Sequence, residues 1–149
     1  MTRVLVVDDW EDTAEIFAEL ARTLGFEVLA ATSAQAALEQ ITAFDPAILL
    51  VDLALGETSG CELLPKLRQA SGRCHRAIAI TAWINPEYRA LARLAGFDGF
   101  LLKPVGRAAL AHALGVPAGA SAADRAAAPG REPTPGSHPA REPRRPDPR

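Results

Sequence analysis

The sequence predicts a doubly wound α/β fold, in which helices cover both faces of a parallel sheet. Two observations support this class. Segments with strand and helix patterns alternate regularly along residues 1–116, and the central strands are apolar at almost every position. Continuous apolar strands are typical of parallel sheets that are buried on both faces, since a strand with one face in water alternates instead.

The predicted strands are short and rich in aliphatic residues. The segment "VLVV" (4–7) is too brief for a buried helix, whereas "FEVLAA" (26–31) alternates as a half-buried strand does. The predicted strands cover residues 4–7, 26–31, 47–52, 77–81 and 99–102.

Between these strands, apolar residues recur at the spacing of amphipathic helices. The first helix, over 11–25, ends on Gly25, a residue suited to a left-handed C-terminal cap. Pro65 lies inside the third pattern and removes a backbone donor, so we expect it to kink or shorten that helix. The later helices cover 33–44, 61–70 and 86–96, and a short one follows Pro104.

Composition divides the chain into a folded part and a tail. With 149 residues, 48% of them hydrophobic, the chain can build one ordinary core, and it has no apolar run long enough to span a membrane. Residues 117–149 hold most of the 12 prolines and almost no large apolar side chain. We therefore expect one domain over 1–116 and a disordered Pro/Ala/Arg-rich tail over 117–149.

Charge, cysteines and the N-terminus argue against several classes of protein. The net charge is −2, and the basic residues of the tail have no aromatic residues among them, which argues against direct DNA binding. The N-terminus lacks a secretory pattern, and we expect Cys61 and Cys74 to be free thiols of a cytoplasmic protein. The scattered His75, His112 and His138 form no metal set and are expected to face solvent.

Polar residues end the predicted strands. In open parallel sheets, ligands bind beyond the carboxyl ends of the strands, so these residues are the candidates for a site. They are Asp8 and Asp9 after the first strand, Asp52, Thr81 and Lys103.

The acidic pair, taken alone, has two interpretations. Asp8 and Asp9 can begin a loop and cap the following helix, because Asp accepts bonds from backbone N–H groups. They can also form a cation site. Together with Asp52 they would repel one another unless a cation lay among them, and all-oxygen ligation is the pattern preferred by Mg²⁺. The sequence predicts a magnesium site at these three carboxylates.

The other strand ends indicate phosphoryl chemistry. Thr81 and Lys103, taken singly, are a turn hydroxyl and a surface lysine; together beside Mg²⁺ they are donors that would surround the oxygens of a phosphoryl group. A carboxylate next to the metal can act as the nucleophile and form an aspartyl phosphate. Asp52 is the candidate, because it ends the central strand.

At these residues the chain resembles the receiver domain of bacterial response regulators. The resemblance covers roughly residues 2–116 and rests on several motifs in register. They are "VDD" (7–9), "VDLALGETSG" (51–60), "ITA" (80–82) and "FLLKP" (100–104).

The resemblance implies a fold and a metal site. The fold is flavodoxin-like, with five parallel strands in the order 2-1-3-4-5. Asp8 and Asp9 help to bind Mg²⁺, Asp52 is phosphorylated, and the backbone carbonyl of Ala54 completes the protein ligands of the metal.

The resemblance also implies a switch. Thr81 and Lys103 contact the phosphoryl group, Phe100 is the aromatic residue that turns inward, and the Lys103–Pro104 bond is cis. Phe100 taken by itself is most simply a core aromatic. The face over 86–115 is where protein partners, or a second copy of the chain in a homodimer, are expected to dock.

Two departures from the family pattern concern the mobility of the loop after Asp52 and the lifetime of the phosphate. Gly56 replaces the usual proline, so the loop is expected to be more mobile. Ala54 and Trp83 occupy the two positions that flank the route of the attacking water in the family. Neither replacement removes a catalytic group.

The function expected from these residues is a phosphorylation switch and not an enzyme acting on other substrates. A single-domain response regulator would receive its phosphoryl group from a histidine kinase or a histidine phosphotransfer protein and act on a downstream protein. One alternative is a phosphate-independent interaction module of the same fold. An aspartate-nucleophile phosphatase is disfavoured, because Ala54 stands where such enzymes generally place a second acid.

Overall fold

The computed structural model describes residues 1–56, 58–73 and 75–116. The predicted tail over 117–149, the predicted thiol of Cys74 and the expectation for His138 lie outside these residues. Cys61 is a free cysteine and is half-buried. Within the described residues, no helix is both long and apolar enough to cross a membrane.

Seven strands alternate with five helices in the described part of the chain. The strands are β1 (Arg3–Val7), β2 (Glu27–Ala31), β3 (Ile48–Asp52), β4 (Ala54–Leu55), β5 (Thr58–Ser59), β6 (Arg76–Thr81) and β7 (Gly99–Leu102). The helices are α1 (Glu11–Thr23), α2 (Ala34–Phe44), α3 (Gly60–Ser71), α4 (Pro86–Ala95) and α5 (Arg107–Ala113).

The main sheet has five parallel strands in the order β2-β1-β3-β6-β7. Counted over these strands alone, the order is 2-1-3-4-5, so the predicted doubly wound α/β class is confirmed. The order reverses at β1, since β2 lies on one side of it and β3 on the other. This reversal opens a crevice beyond the carboxyl ends of β1 and β3, where doubly wound sheets bind ligands.

Each face of the sheet has its own hydrophobic layer. Val4 and Val6 pack with residues of α1 and α5, whereas Leu5 and Val7 pack with residues of α2, α3 and α4. All four side chains are 0% exposed. Because successive side chains of a strand point to opposite faces, a strand covered on both faces must be apolar throughout, which explains "VLVV".

Helix α3 differs from the expectation for Pro65. The helix is not shortened and runs through Pro65 without interruption from Gly60 to Ser71. Its Leu63, Leu64 and Leu67 are buried, whereas Pro65 lies on the exposed side. Burial of this apolar stripe stabilises the helix against the single backbone bond that proline removes.

Two other features differ from the sequence prediction. The loop after β3 contains a small antiparallel ladder of β4 and β5 around Gly56, whose φ of 69° suits glycine. His112 is exposed as expected, but the prediction that His75 faces solvent is wrong: His75 is only 2% exposed. Both ring nitrogens have partners 2.7 Å away, namely the Ser71 hydroxyl and the Pro46 carbonyl, so burial leaves neither of them unpaired.

Candidate functional site

The predicted site residues lie at the carboxyl edge of the sheet because the parallel strands end side by side. Val7 pairs with Val51, and Asp52 pairs with Ile80. Asp8 therefore follows β1 where Asp52 ends β3. Thr81 ends β6 and pairs with Leu102, the residue before Lys103.

The three acids form one cluster. Asp8, Asp9 and Asp52 each place a carboxylate oxygen within 4.8 Å of the others. Asp8 is 0% exposed and Asp52 is 4% exposed, while Asp9 faces solvent. Neither Asp8 nor Asp9 is the N-terminal cap of α1, because that position belongs to Trp10. Asp8 Oδ1 accepts a hydrogen bond of 3.0 Å from the Trp10 N–H, which fixes the turn into the helix.

Lys103 is the cation that the acids share. Its Nζ donates to Asp52 Oδ2 at 2.8 Å and lies 3.0 Å from Asp8 Oδ2. Burial by itself lowers the pKa of Lys103, but the hydrogen bond to Asp52 and the charges of Asp52 and Asp8 outweigh it and leave this pKa above its ordinary value. The ammonium group therefore stays charged.

At Asp52 the surroundings disfavour the charged form of the side chain. Burial raises the pKa of its carboxyl group, and the nearby charge of Asp8 raises this pKa further, while bonds from Lys103 and the Ala54 N–H lower it. The net result is a pKa above the ordinary value. An ionised Asp52 is thus less favourable here than in water, chiefly because burial removes its hydration and then because Asp8 carries a like charge.

The cluster fits a divalent cation. Asp8 Oδ2 is buried and accepts no hydrogen bond, so its approach to Lys103 Nζ pairs the two groups by charge alone. Three carboxylates set against this one ammonium leave an excess of negative charge, which a divalent cation among them would offset. The three acids supply oxygen ligands only, and these favour Mg²⁺ over softer metals.

A cavity of about 350 Å³ opens over the acids. Thr81 is 1% exposed, and its Oγ1 accepts a hydrogen bond of 3.0 Å from the Trp83 N–H, so the hydroxyl hydrogen remains available to donate. The Trp83 ring stacks on Tyr88 with the ring centroids 4.5 Å apart. The cavity is lined by Asp9, Trp10, Asp52, Ala54, Gly56, Thr81, Ala82, Trp83 and Lys103.

Backbone contacts hold Asp52 at the floor of this cavity. Its Oδ1 accepts from the Ala54 N–H at 2.9 Å, and the Leu53 carbonyl accepts from the Gly60 N–H at 2.9 Å. A Cβ at Gly60 would lie 2.5 Å from the Asp52 carbonyl oxygen, so only glycine lets α3 begin so close behind the strand. The Lys103–Pro104 peptide bond is cis, as the resemblance implies.

Phe100 lies apart from the other predicted residues. It lines a second cavity of about 180 Å³ between α4 and β7, and its half-buried ring faces the guanidinium of Arg89. The structure thus brings together Asp8, Asp9, Asp52, Thr81 and Lys103, with Ala54 at the same cavity. Sequence reasoning missed Trp10 and Arg89, because an exposed tryptophan or arginine leaves no pattern in a single sequence.

The half-buried Lys103 is shared by two acids at the carboxyl edge of the sheet, so the fold and the site define a doubly wound α/β domain with an acidic site at its strand ends. Residues 4–115 match the family described as "Response regulator receiver domain". The chain belongs to this family.

Three relatives of similar sequence include one that is named a response regulator receiver protein. A response regulator receiver protein of Anaeromyxobacter sp. (strain Fw109-5) is 38% identical over 70% of the chain and 44% of its own length. The sensory transduction protein RegX3 of Mycobacterium tuberculosis is 34% identical over 70% of the chain and 45% of its own length. The chain thus spans less than half of these two relatives. An uncharacterized 14.6 kDa protein of Leptolyngbya boryana is 36% identical over 68% of the chain and 79% of its own length.

Solved structures agree with this assignment. A receiver domain protein from Methanospirillum hungatei superposes with a TM-score of 0.70 at 26% identity, covering 76% of this chain and 90% of that one. A response regulator protein from Burkholderia pseudomallei gives a TM-score of 0.70 at 28% identity, covering 76% of this chain and 66% of that one.

Proposed function

We propose that this receiver domain accepts a phosphoryl group on Asp52 in the presence of Mg²⁺ and signals through protein contacts. The donor is a histidine kinase or a histidine phosphotransfer protein. The observation that carries the proposal is the position of Lys103, whose Nζ bridges Asp52 and Asp8 at 2.8 and 3.0 Å inside a cavity that Thr81 also lines. Such a set of donors and acids suits a transferred phosphoryl group.

Asp52 supplies the nucleophile. One of its carboxylate oxygens forms the new P–O bond while the P–N bond of the donor phosphohistidine breaks. The electron pair of that bond returns to the imidazole, which takes up a proton from solvent. The bonds of Asp52 to Lys103 and to the Ala54 N–H orient the carboxylate before the donor arrives.

The metal-binding groups are the three acids of the cluster. Asp8, Asp9 and Asp52 would hold the ion, and the backbone carbonyl of Ala54 is the further protein ligand that the family resemblance implies. Bound Mg²⁺ offsets the negative charge of the phosphoryl oxygens. The structure from Burkholderia pseudomallei is described as containing a phosphorylated aspartic acid and a calcium ion, which supports the same pairing of groups here.

Lys103 and Thr81 act on the transferred group. The Lys103 ammonium can leave Asp8 for a phosphoryl oxygen, since it already lies between the two acids. The Thr81 hydroxyl keeps its bond from the Trp83 N–H and donates its own hydrogen to a second oxygen. Both contacts stabilise charge that the phosphoryl group brings into a partly buried site.

The output passes through the face over 86–115. A Thr81 hydroxyl drawn toward the phosphoryl group leaves room for the Phe100 ring to turn inward, which changes the shape of α4, β7 and α5 together. A downstream protein, or a second copy of the chain in a homodimer, docks on this face.

The test uses phosphoramidate, whose P–N bond stands for that of phosphohistidine. Intact mass spectrometry of the full chain should show one added phosphoryl group with Mg²⁺ and none with EDTA. Asp52→Asn should abolish the addition, whereas Asp12→Asn, on the exposed side of α1, should leave it unchanged. Equal addition in EDTA, or addition that survives in Asp52→Asn, would overturn the proposal.

A further inference from the structure

We propose that Arg89 is a positioning residue that holds the Phe100 ring outward and thereby opposes the phosphorylated conformation. This inference rests on the proposed function. Arg89 contacts neither the acids nor the phosphoryl cavity, so its action on the site passes entirely through Phe100.

The contact between Arg89 and Phe100 has the geometry of a cation–π interaction. The Arg89 Cζ lies 4.7 Å from the centroid of the Phe100 ring, well within the roughly 6 Å over which a guanidinium is attracted to an aromatic face. Over residues 1–56, 58–73 and 75–116, Arg89 forms no ion pair with a carboxylate. Its charge is therefore satisfied by the ring and by water.

The partner residue on the sheet leaves Phe100 room to move. Phe100 pairs with Ala79 and Thr81 pairs with Leu102, so Phe100 and Thr81 lie on the same face of the sheet. The neighbours of Phe100 on that face are small. They are Ala79, which is 0% exposed, and Ala92 of α4, which is 1% exposed. The adjoining cavity of about 180 Å³ is lined by Arg89, Ala92 and Phe100, among others, so the ring is loosely packed on the side of α4.

In this proposal the ring has two positions, the one in the structure against Arg89 and an inward one toward Thr81. In the outward position it keeps Arg89; an inward turn toward Thr81 takes it away from the guanidinium. A group that interacts with only one of two conformations shifts the equilibrium toward that conformation. Arg89 therefore lowers the fraction of molecules whose ring is turned inward. The apparent affinity of the site for a phosphoryl group falls in proportion to that fraction.

The decisive experiment titrates the full chain with beryllofluoride, a phosphoryl mimic, in saturating Mg²⁺. Trp10 and Trp83 line the cavity and report binding by fluorescence. Arg89→Met should bind beryllofluoride about two- to fivefold more tightly than the wild type, the range expected for one exposed cation–π contact. Arg93→Met removes the same charge from the same helix one turn later. It should not bind beryllofluoride more tightly than the wild type.

The sign of the effect separates the contact from a general loss of positive charge. Removing a cation near an anion site weakens anion binding through the field alone, whereas removing the Phe100 contact strengthens it. In a Phe100→Leu background the Arg89→Met change should no longer tighten binding, because the ring is gone and only the effect of the lost charge remains. The Arg89 side-chain protons should also show a ring-current shift that disappears in Phe100→Leu and on adding beryllofluoride.

The outcomes distinguish a failure of the role of Arg89 from a failure of the proposed function. Normal binding to the wild type with no tightening in Arg89→Met, or equal tightening with Leu at 100, would overturn the role of Arg89 alone. Failure of the wild type to bind beryllofluoride with Mg²⁺ would contradict the proposed function and, with it, the role of Arg89.

Discussion

The two edges of the sheet both bury polar groups, but they balance them differently. At the carboxyl edge, three acids face Lys103, and Asp8 Oδ2 accepts no hydrogen bond. At the amino edge, both nitrogens of His75 are paired, and Arg68 donates to the carbonyls of Gly96 and His75. Both edges leave a buried polar atom without a hydrogen bond, Asp8 Oδ2 at the carboxyl edge and Arg68 Nε at the amino edge. The edges differ in charge, because the carboxyl edge sets three carboxylates against the single ammonium of Lys103.

Side-chain contacts at the amino edge connect elements that are distant in the sequence. Arg68 of α3 also lies 3.5 Å from Asp98, whose Oδ2 accepts from the Ala77 N–H at 2.9 Å. These bonds connect α3, β6 and the turn before β7. We expect this edge to stabilise the fold and the opposite edge to sacrifice stability for binding.

The largest expected effect comes from removing the shared cation at the carboxyl edge. Lys103→Met leaves Asp8 and Asp52 without their counter-charge and should lower the free energy of unfolding by about 2–3 kcal/mol in EDTA, the size of a hydrogen bond between charged groups. Mg²⁺ should reduce the loss, because it supplies a replacement cation. Urea unfolding with and without Mg²⁺ measures both quantities.

A matched control for this prediction is Lys66→Met. Lys66 lies on the exposed side of α3, so its removal should change the free energy of unfolding by less than about 0.5 kcal/mol in either buffer. If Lys103→Met behaves like this control in EDTA, the carboxyl edge does not depend on its lysine.

The next prediction concerns the backbone behind Asp52. Gly60→Ala should lower the free energy of unfolding by about 1–3 kcal/mol, because its Cβ would overlap the Asp52 carbonyl oxygen and displace that residue. Gly106→Ala is the comparison variant: a Cβ there meets nothing within 4 Å, and its cost is limited to the loss of a glycine cap at the start of α5, so it should destabilise less than Gly60→Ala. Equal unfolding midpoints for the two variants would show that the approach of α3 to β3 is not tight.

The two edges also differ in their access to water. At the carboxyl edge, the access of water to the phosphorus should set the lifetime of the phosphate. Hydrolysis needs a water in line with the phosphorus, and neither Ala54 nor Trp83 carries a side-chain group that would orient it; the Trp83 indole also covers part of the approach. We predict slow loss of phosphate. Trp83→Ala and Ala54→Asn should each accelerate it by about tenfold, equivalent to about 1.4 kcal/mol of barrier.

Decay of phosphorylated protein, followed after removal of the donor, measures this rate. Rapid decay in the wild type, or unchanged decay in both variants, would contradict the assigned roles of these side chains.

The smallest effect is expected at the amino edge and depends on pH. Burial lowers the pKa of His75 below its ordinary value of 6.5, and the charges of Arg73 and Arg68 contribute to the lowering. The unfolded chain therefore binds a proton before the folded one as the pH falls. Stability should be complete above pH 6.5 and decline below it by at most about 1.4 kcal/mol per pH unit, until the folded His75 also protonates.

Urea unfolding between pH 7.5 and 5.5 should reveal this decline, and His75→Gln should flatten it. His112→Gln, at an exposed histidine, should leave the slope unchanged. A slope that persists in His75→Gln would assign it to other groups.

The sequence predicted the structure best where the local pattern of residues alone decides the outcome. Continuous apolar strands predicted the parallel sheet, and the residues that follow them predicted the cluster of Asp8, Asp9, Asp52, Thr81 and Lys103. His75 was missed because its burial depends on Ser71 and Pro46, and Pro46 lies 29 positions away in the chain. Arg89 was missed because only the fold places it over Phe100.

The central claim is that Asp52 is the group that accepts the phosphoryl group. Borohydride reduces an aspartyl phosphate to homoserine, so treating the phosphoramidate-modified chain and sequencing its peptides by mass spectrometry identifies the residue directly. We predict homoserine at position 52 with Mg²⁺ and none with EDTA. Homoserine at position 8 or 9, or no homoserine at position 52 in a chain that has gained phosphate, would contradict the account.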